Sequence, residues 1–143
     1  MIKGLTIKEV EYIAHSMAKE TMGWSEPIPD FSTRYPSVLE SCLAVPFQRF
    51  SRRNLYKGLI GKASILFYLM IKNHPFQNGN KRIAVATLLL FLYQNKKWMH
   101  VSNGTLYQFA ILVAQSPAEI KGEIVTLIEN FINKYIKDLN GMH

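Results

Sequence analysis

Apolar residues recur every three or four positions along most of the chain, a spacing that predicts amphipathic α-helices rather than strands. The first helix is predicted to begin at a capping box, in which Thr6 and Glu9 bond each other's backbone N–H groups, and to end near Met22. Prolines, a glycine and hydroxyl residues at positions 23–36 predict a loop. Five further helices are predicted over residues 38–43, 55–72, 80–94, 105–115 and 117–139.

Two short segments break the helical pattern. Residues 46–54 are too polar for a core strand and predict an exposed hairpin, while residues 95–102 predict a connector without regular structure. The last helix is predicted to start with a second capping box, with Ser116 as N-cap, Pro117 at the first helical position and Glu119 closing the box. Residues 84–93 are apolar nearly all round, which places this helix at the centre. The pattern predicts one all-α domain over residues 1–143, with one small hairpin.

Composition narrows the class of protein. Of the 143 residues, 48% are hydrophobic and 19% charged, which is enough for a core and too little charge for disorder. The single cysteine, Cys42, excludes an internal disulfide. Charge in every turn of residues 1–11 argues against a signal peptide, and the apolar run 83–93 is too short to span a bilayer, so a cytoplasmic protein is expected. The net charge of +7 favours an acidic or phosphate-bearing partner.

One polar segment stands between the two strongest predicted helices: His74-Pro75-Phe76-Gln77-Asn78-Gly79-Asn80-Lys81-Arg82. A helix that begins at its end presents unpaired N–H groups and the positive end of its dipole, which predicts an anion site. Gly79 permits close approach of the backbone to a phosphate, and Lys81 and Arg82 add positive charge. A neutral His74 can accept a proton from a hydroxyl. Loop 74–82 therefore predicts transfer of a phosphate-bearing group to an alcohol, provided that His74 and Arg82 flank one pocket.

The same segment closely resembles the signature of the Fic/Doc family, in its Doc (death-on-curing) branch. The resemblance extends to residues 39–48, 55–73 and 84–98, and loosely to 106–117. It implies a Fic/Doc-type helical bundle in which His74 is the catalytic base toward a Ser, Thr or Tyr hydroxyl and Phe76 anchors the loop in the core. Gly79 and Asn80 are implied to form the phosphate-binding turn, and Arg82 to hold nucleotide phosphates.

Two departures from the adenylylating members favour the Doc branch. Lys81 stands where those members usually have a second glycine, and Val85 stands where many have a second arginine. Doc-like members with this lysine are associated with transfer of the terminal phosphate of ATP. The resemblance therefore implies a kinase-like toxin of a toxin–antitoxin system that modifies a protein hydroxyl and so blocks translation, with elongation factor Tu as the expected target. Protein adenylyl transfer (AMPylation) is the alternative.

The resemblance also implies two protein contacts. Residues 46–54 correspond to the family's flap, so Phe47, Gln48, Arg49 and Phe50 are implied to dock the target segment by strand addition. The second contact is an antitoxin. Some Fic proteins inhibit themselves through a helix with Ser or Thr followed by Glu-Gly or Glu-Asn, and this pattern is incomplete at both candidate places in the chain. Thr21 follows the spacing Ser16 to Glu20, and Val125 replaces the hydroxyl residue ahead of Glu129-Asn130. A separate antitoxin with a disordered acidic tail is expected to supply the restraint, since the net positive charge attracts such a tail.

Asn78 departs from the family in a different way, because it lies where Asp or Glu usually binds magnesium. A neutral amide oxygen is a weaker ligand for a hard cation than a carboxylate, and the neighbouring Gln77 is neutral as well. The resemblance implies ATP as the co-substrate. The neutral Asn78 predicts that Mg²⁺ is held weakly. A Fic-fold binding module without catalysis is a third hypothesis. RNA binding is disfavoured, because the basic residues are not interleaved with aromatic ones.

Overall fold

The computed structural model describes residues 1–21 and 27–141. These residues form six α-helices, one small hairpin and a second two-stranded antiparallel sheet, which confirms the predicted all-helical bundle. The first helix, α1, runs as Ile7–Glu9, continues through a π-helical stretch, Val10–His15, and goes on as Ser16–Thr21. The other helices are α2 (Pro36–Ala44), α3 (Gly58–Lys72), α4 (Asn80–Gln94), α5 (Asn103–Gln115) and α6 (Lys121–Tyr135).

The predicted hairpin is present, and a two-stranded sheet formed by distant segments was missed. Strand β1 (Arg49–Phe50) pairs with β2 (Arg53–Asn54), inside the predicted range 46–54. Strand β3 (Lys97–Met99) pairs with β4 (Ile136–Asp138), which lies 39 residues further along the chain. The prediction of an irregular connector over 95–102 and of one helix over 117–139 is therefore wrong in part. A pairing between segments so distant in sequence leaves too little local pattern to be read from either one.

Several helix boundaries differ from the predictions. The capping box at Thr6 is confirmed, with Glu9 N–H donating to Thr6 Oγ1 at 3.1 Å and Thr6 N–H to Glu9 Oε1 at 2.9 Å. The second capping box is wrong, because the Ser116 hydroxyl turns back and donates to Val113 O at 2.6 Å. A 3₁₀ turn over Ala118–Ile120 precedes α6. The predicted end of α1 at Met22 and the start of the predicted loop, 23–26, lie outside the described residues.

Helices α3 and α4 form the centre of the bundle. They are joined by the short loop 73–79 and pack along each other, while α1 and α5 lie against α4 and α6 lies against α3. Almost every residue of α4 is buried, as its all-round apolar sequence predicts. Among the described residues, no helix has the length and apolar character that crossing a membrane requires. The α3–α4 pair thus presents two ends, one at loop 73–79 and one beside the first hairpin.

Candidate active site

Phe76 fixes loop 73–79 to the core. Its side chain is 1% exposed, and its ring lies 5.8 Å from the Phe31 ring and 5.8 Å from the His15 ring, measured between centroids. The segment that carries Phe31 also meets the loop through its backbone, since Tyr35 N–H donates to Pro75 O at 2.9 Å. The loop is therefore held from below by α1 and from the side by residues 31–35.

Asn80, the first residue of α4, closes the loop with its side-chain amide. Its Oδ1 accepts the Phe76 N–H at 3.0 Å, and its Nδ2 donates to Phe76 O at 2.9 Å. Asn80 is only 6% exposed, so these bonds satisfy a backbone segment that water cannot reach. The Asn80 side chain thus shapes the loop in the structure, whereas phosphate binding was predicted for Asn80 from the sequence.

His74 is exposed at the mouth of this loop and has an unusual backbone. Its φ of 50° lies in the left-handed region, which costs a non-glycine residue free energy and which clusters at functional sites. Its Nδ1 lies 3.4 Å from Asn80 Nδ2, at the outer limit of a hydrogen bond. Because an amide Nδ2 donates, Nδ1 is the acceptor in this contact, and a neutral ring then carries its proton on Nε2. The contact is weak, so when it opens the Nδ1 lone pair can take a proton from a hydroxyl.

Gly79 is the N-cap of α4 and is covered by another part of the chain. Its φ is 72°, and it offers no capping side chain to the helix. A Cβ built at this position would lie 2.6 Å from Ile28 Cδ1 and 2.9 Å from Pro27 O. Any side chain here would therefore be strained and would also collide with residues 27–28. One face of the turn that was predicted to receive phosphate is packed against residues 27–28.

Asn78 and Gln77 lie exposed on the loop, and neither brings a carboxylate to it. Asn78 Oδ1, the atom expected to hold magnesium, accepts the Gly79 N–H at 2.8 Å. Within residues 1–21 and 27–141, no three His, Cys, Asp or Glu side chains are grouped as a metal site requires. Magnesium prefers charged oxygen ligands, so these residues do not fit a magnesium site of the usual carboxylate kind.

The two basic residues of the motif differ in their surroundings. Lys81 is half-buried in the first turn of α4, whereas Arg82 is 6% exposed. Arg82 Nη2 donates to Ala18 O at 2.5 Å, which ties α4 to the end of α1. A carbonyl near the C-terminal end of a helix is a favourable partner for a cation. His74 contacts Asn80 and Arg82 contacts α1, so these contacts do not bring the two side chains to one pocket, and phosphate binding by Arg82 stays a prediction.

The hairpin expected to dock a target is not at this end of the bundle. Phe47, at its base, lies 6.3 Å from the ring of Phe91, and Phe91 is eleven residues beyond Asn80 along α4. That separation corresponds to about 16 Å of helix rise. Gln48, Arg49 and Phe50 are exposed, with Phe50 at 72%. A docking role for these four residues stays a prediction. The base of the hairpin lies about 16 Å of helix rise away from the start of α4, where His74 contacts Asn80.

Sequence reasoning overlooked His15, which supports the loop from α1. It is 7% exposed, and its Nε2 lies 2.9 Å from Pro29 O, in addition to the ring contact with Phe76. The available signal was its position between Ala14 and Ala18 on the apolar stripe of α1, where a polar residue needs a reason. His15 links the segment 27–31 to the motif loop.

Comparison with known proteins agrees with the motif. The model of the family described as "Fic/DOC family" matches residues 4–92, which include α1 to α3, loop 74–82 and all but the last two residues of α4. Comparison with curated proteins and with solved structures gives no match. The match covers more than half of the chain, including every residue of the candidate site.

Proposed function

Because the chain belongs to the Fic/Doc family, whose members are generally transferases that AMPylate or phosphorylate, we propose that it transfers the terminal phosphoryl group of ATP to a protein hydroxyl. The observation that carries the proposal is His74: an exposed imidazole in a left-handed backbone conformation, backed by a buried Asn80 at the start of α4. Strain of this kind persists only where the surrounding structure enforces it.

In the proposed reaction, His74 takes the proton of a Ser, Thr or Tyr hydroxyl as that oxygen attacks the γ-phosphorus of ATP. A bond forms between the hydroxyl oxygen and phosphorus, the bond to the β–γ bridging oxygen breaks, and ADP leaves with the electron pair. The positive end of the α4 dipole and Lys81 lie beside the loop, where they oppose the charge on the phosphates. The described residues do not fit a magnesium site of the usual carboxylate kind, so these positive groups are the ones that the structure places beside the loop.

The finer parts of the proposal rest on the Doc-like features of the motif. Lys81 in place of a glycine and Val85 in place of an arginine favour phosphoryl over adenylyl transfer. The proposed role is a cytoplasmic toxin that modifies elongation factor Tu and is restrained by an antitoxin with an acidic tail. The net charge of +7 supports the partner, since complementary charge speeds and orients such association.

A second function is favoured by two observations at the same site. Asn78 supplies no carboxylate, and Arg82 is buried against Ala18 O instead of lying open at the loop. Both suit a Fic-fold module that binds nucleotide or protein without transferring a group.

ATP labelled at either the α or the γ phosphate distinguishes these functions when it is incubated with the chain and elongation factor Tu. Label from the γ position on the target supports phosphoryl transfer, whereas label from the α position means adenylyl transfer. His74→Ala is expected to lower the rate by about 10²- to 10⁴-fold, the usual contribution of a general base. His100→Ala, an exposed histidine outside the motif, is the matched control and should keep the rate.

Asn78→Asp sharpens the choice between enzyme and binding module. A carboxylate at this position is expected to raise magnesium-dependent transfer, because it restores a charged ligand for the cation. If neither label reaches a protein with the wild type or with Asn78→Asp, while ATP still binds, the transferase proposal is wrong and the binding module is favoured. Growth arrest that persists in His74→Ala would exclude a toxicity mechanism based on this histidine.

A further inference from the structure

A buried lysine lies at the start of α3, at the end of the α3–α4 pair away from loop 74–82. Lys62 is 4% exposed, and its Nζ donates to Tyr56 O at 2.5 Å and lies 5.5 Å from the centroid of the Phe47 ring. Among the described residues, no carboxylate forms an ion pair with it. A buried ammonium group without a negative partner is costly, so this arrangement calls for a compensating charge.

The groups around Lys62 add further positive charge to its surroundings and no negative charge. Lys62 lies in the first turns of α3, near the positive end of the helix dipole, and the first turn of this helix carries no acidic residue. Burial, and after it the positive charge of Arg49, lower the pKa of Lys62. Two cations and a helix N-terminus thus converge on one place.

A cavity of about 340 Å³ opens at this place. It lies between the first hairpin and the start of α3, and its lining consists of Met1, Ile2, Phe47, Arg49, Asn54, Gly58 and Lys62. Arg49 is braced by a bond from its Nη2 to Arg52 O at 2.6 Å. A guanidinium has five N–H donors, so Arg49 keeps donors for a ligand in the cavity. The volume is within the range of small-molecule sites, about 300–1,000 Å³.

We propose that this cavity binds an oxyanion, a carboxylate or phosphate group, between the Lys62 ammonium, the Arg49 guanidinium and the N-terminus of α3. The bound anion supplies the negative charge that the described residues do not provide, and the apolar side chains of Ile2 and Phe47 receive the body of a small ligand. The site lies away from the loop that carries His74, although Phe47 and Arg49 also belong to the hairpin expected to dock the target. Lys62 lies ten residues before the end of α3 at Lys72, about 15 Å of helix from loop 74–82.

Thermal unfolding of the full chain at constant ionic strength tests the proposal, with inorganic phosphate in one arm and acetate in the other. A ligand that binds only the folded state at ten times its Kd raises the folded-to-unfolded ratio about tenfold. We expect at least one anion to raise the midpoint, and the responding arm identifies a phosphate or a carboxylate site. The Lys62 ¹⁵Nζ resonance should shift with the same anion.

Two variants and one control make the result specific. Lys62→Met keeps an apolar side chain beside Phe47 and is expected to remove the anion response, although it also loses the bond to Tyr56 O and with it some stability in the absence of anion. Arg49→Gln, at an exposed position that tolerates change, is expected to weaken anion binding about tenfold, because it removes a charged, bidentate donor. Arg53→Gln on the same hairpin lines no part of the cavity and should respond as wild type does.

The proposal is overturned by either of two results. One is that neither anion moves the midpoint or the Lys62 resonance. The other is that Arg53→Gln lowers the response as much as Arg49→Gln, which would mean non-specific attraction to a basic surface. If Lys62→Met does not fold, the comparison between Arg49→Gln and Arg53→Gln decides alone. None of these measurements involves group transfer, so they are independent of the proposed reaction.

Discussion

At each end of α4, an asparagine side chain bonds both the N–H and the C=O of another residue. At the N-terminal end, Asn80 bonds Phe76 at 3.0 and 2.9 Å. At the C-terminal end, Asn95 bonds Lys3, with its Oδ1 accepting the Lys3 N–H at 2.8 Å and its Nδ2 donating to Lys3 O at 3.0 Å. The same chemistry thus shapes a local loop at one end and attaches the start of the chain at the other.

The two ends differ in burial and in what lies next to the amide. Asn80 is buried, and its second N–H is directed at the imidazole of His74. The bonds between Asn95 and Lys3 lie in solvent-exposed surroundings, and Asn95 Nδ2 also donates to Phe91 O at 2.8 Å, where burial is partial. Arg82, also buried, adds a bond to α1 at the first end. Two polar residues of the motif thus have structural roles, since Asn80 shapes the loop and Arg82 ties α4 to α1. A motif match therefore does not assign every matched polar side chain to the ligand.

The largest difference between the two ends is expected from removing the amides. Asn80→Ala leaves a buried N–H and C=O of Phe76 without partners and is expected to lower the free energy of unfolding by about 2–4 kcal/mol. Asn95→Ala leaves its Lys3 partners to water and loses a partly buried bond to Phe91 O, so it should cost less, about 1–2 kcal/mol. Urea unfolding of both variants measures the difference. Equal losses would show that burial does not distinguish the two ends.

The next prediction concerns Arg82. In the structure its side chain ties α4 to α1, whereas the family resemblance implies that it binds phosphate. Arg82→Met is expected to cost about 1.5–3 kcal/mol of stability, the usual value for a hydrogen bond with a charged donor. Arg53→Met, exposed on the hairpin at the other end, should change stability by less than about 0.5 kcal/mol. A variant with wild-type stability and lost ATP affinity would instead make Arg82 a ligand residue. Urea unfolding and ATP titration separate the two outcomes.

A smaller and opposite effect is expected at the two left-handed residues that flank α4. His74 has φ 50° and Lys96 has φ 65°. Glycine relieves the backbone cost at either position, so His74→Gly and Lys96→Gly should each raise stability by about 0.5–1 kcal/mol. Only His74→Gly should also abolish transfer. If His74→Gly destabilises the fold, the histidine is held by packing and the strain carries no functional meaning.

The fold was predictable from sequence wherever the residues of one helix alone determine where it begins and ends. The bounds of α4, residues 80–94, were predicted correctly because an apolar stretch follows a glycine and a polar first turn. The β3–β4 pair was missed, since Lys97–Met99 and Ile136–Asp138 are too short and too far apart for either to show alternation. Ser116 was misread because a serine at a helix junction can cap in either direction, and only the neighbouring backbone decides.

The residues of the candidate site were predictable from the sequence, but the contacts that each side chain makes were not. The sequence located loop 74–82 and its basic, glycine-containing start of a helix. It could not show that the amide of Asn80 is used by Phe76, that the guanidinium of Arg82 is used by Ala18 O, or that residues 27–28 cover Gly79. Each of these contacts depends on how α1 and the following segment lie against α4, which no local pattern records.

The smallest expected effect concerns Glu9, which joins α1 to the C-terminal end of α4. Burial raises the pKa of Glu9, but hydrogen bonds from the Thr6 N–H, from Gln94 and from the Thr6 hydroxyl outweigh it, so the pKa lies below its ordinary value of 4.5. A carboxyl whose pKa is lower in the folded state stabilises the fold above the ordinary value, and this contribution is lost as the pH falls through the folded-state pKa. Wild type should therefore exceed Glu9→Gln in stability by about 0.3 kcal/mol at neutral pH, since solvent screens a partly exposed carboxylate, and the gap should close in acid. Urea unfolding across this pH range measures the gap, which Gln94→Ala should narrow; a gap that is constant or wider in acid would mean that Glu9 acts by packing and not by charge.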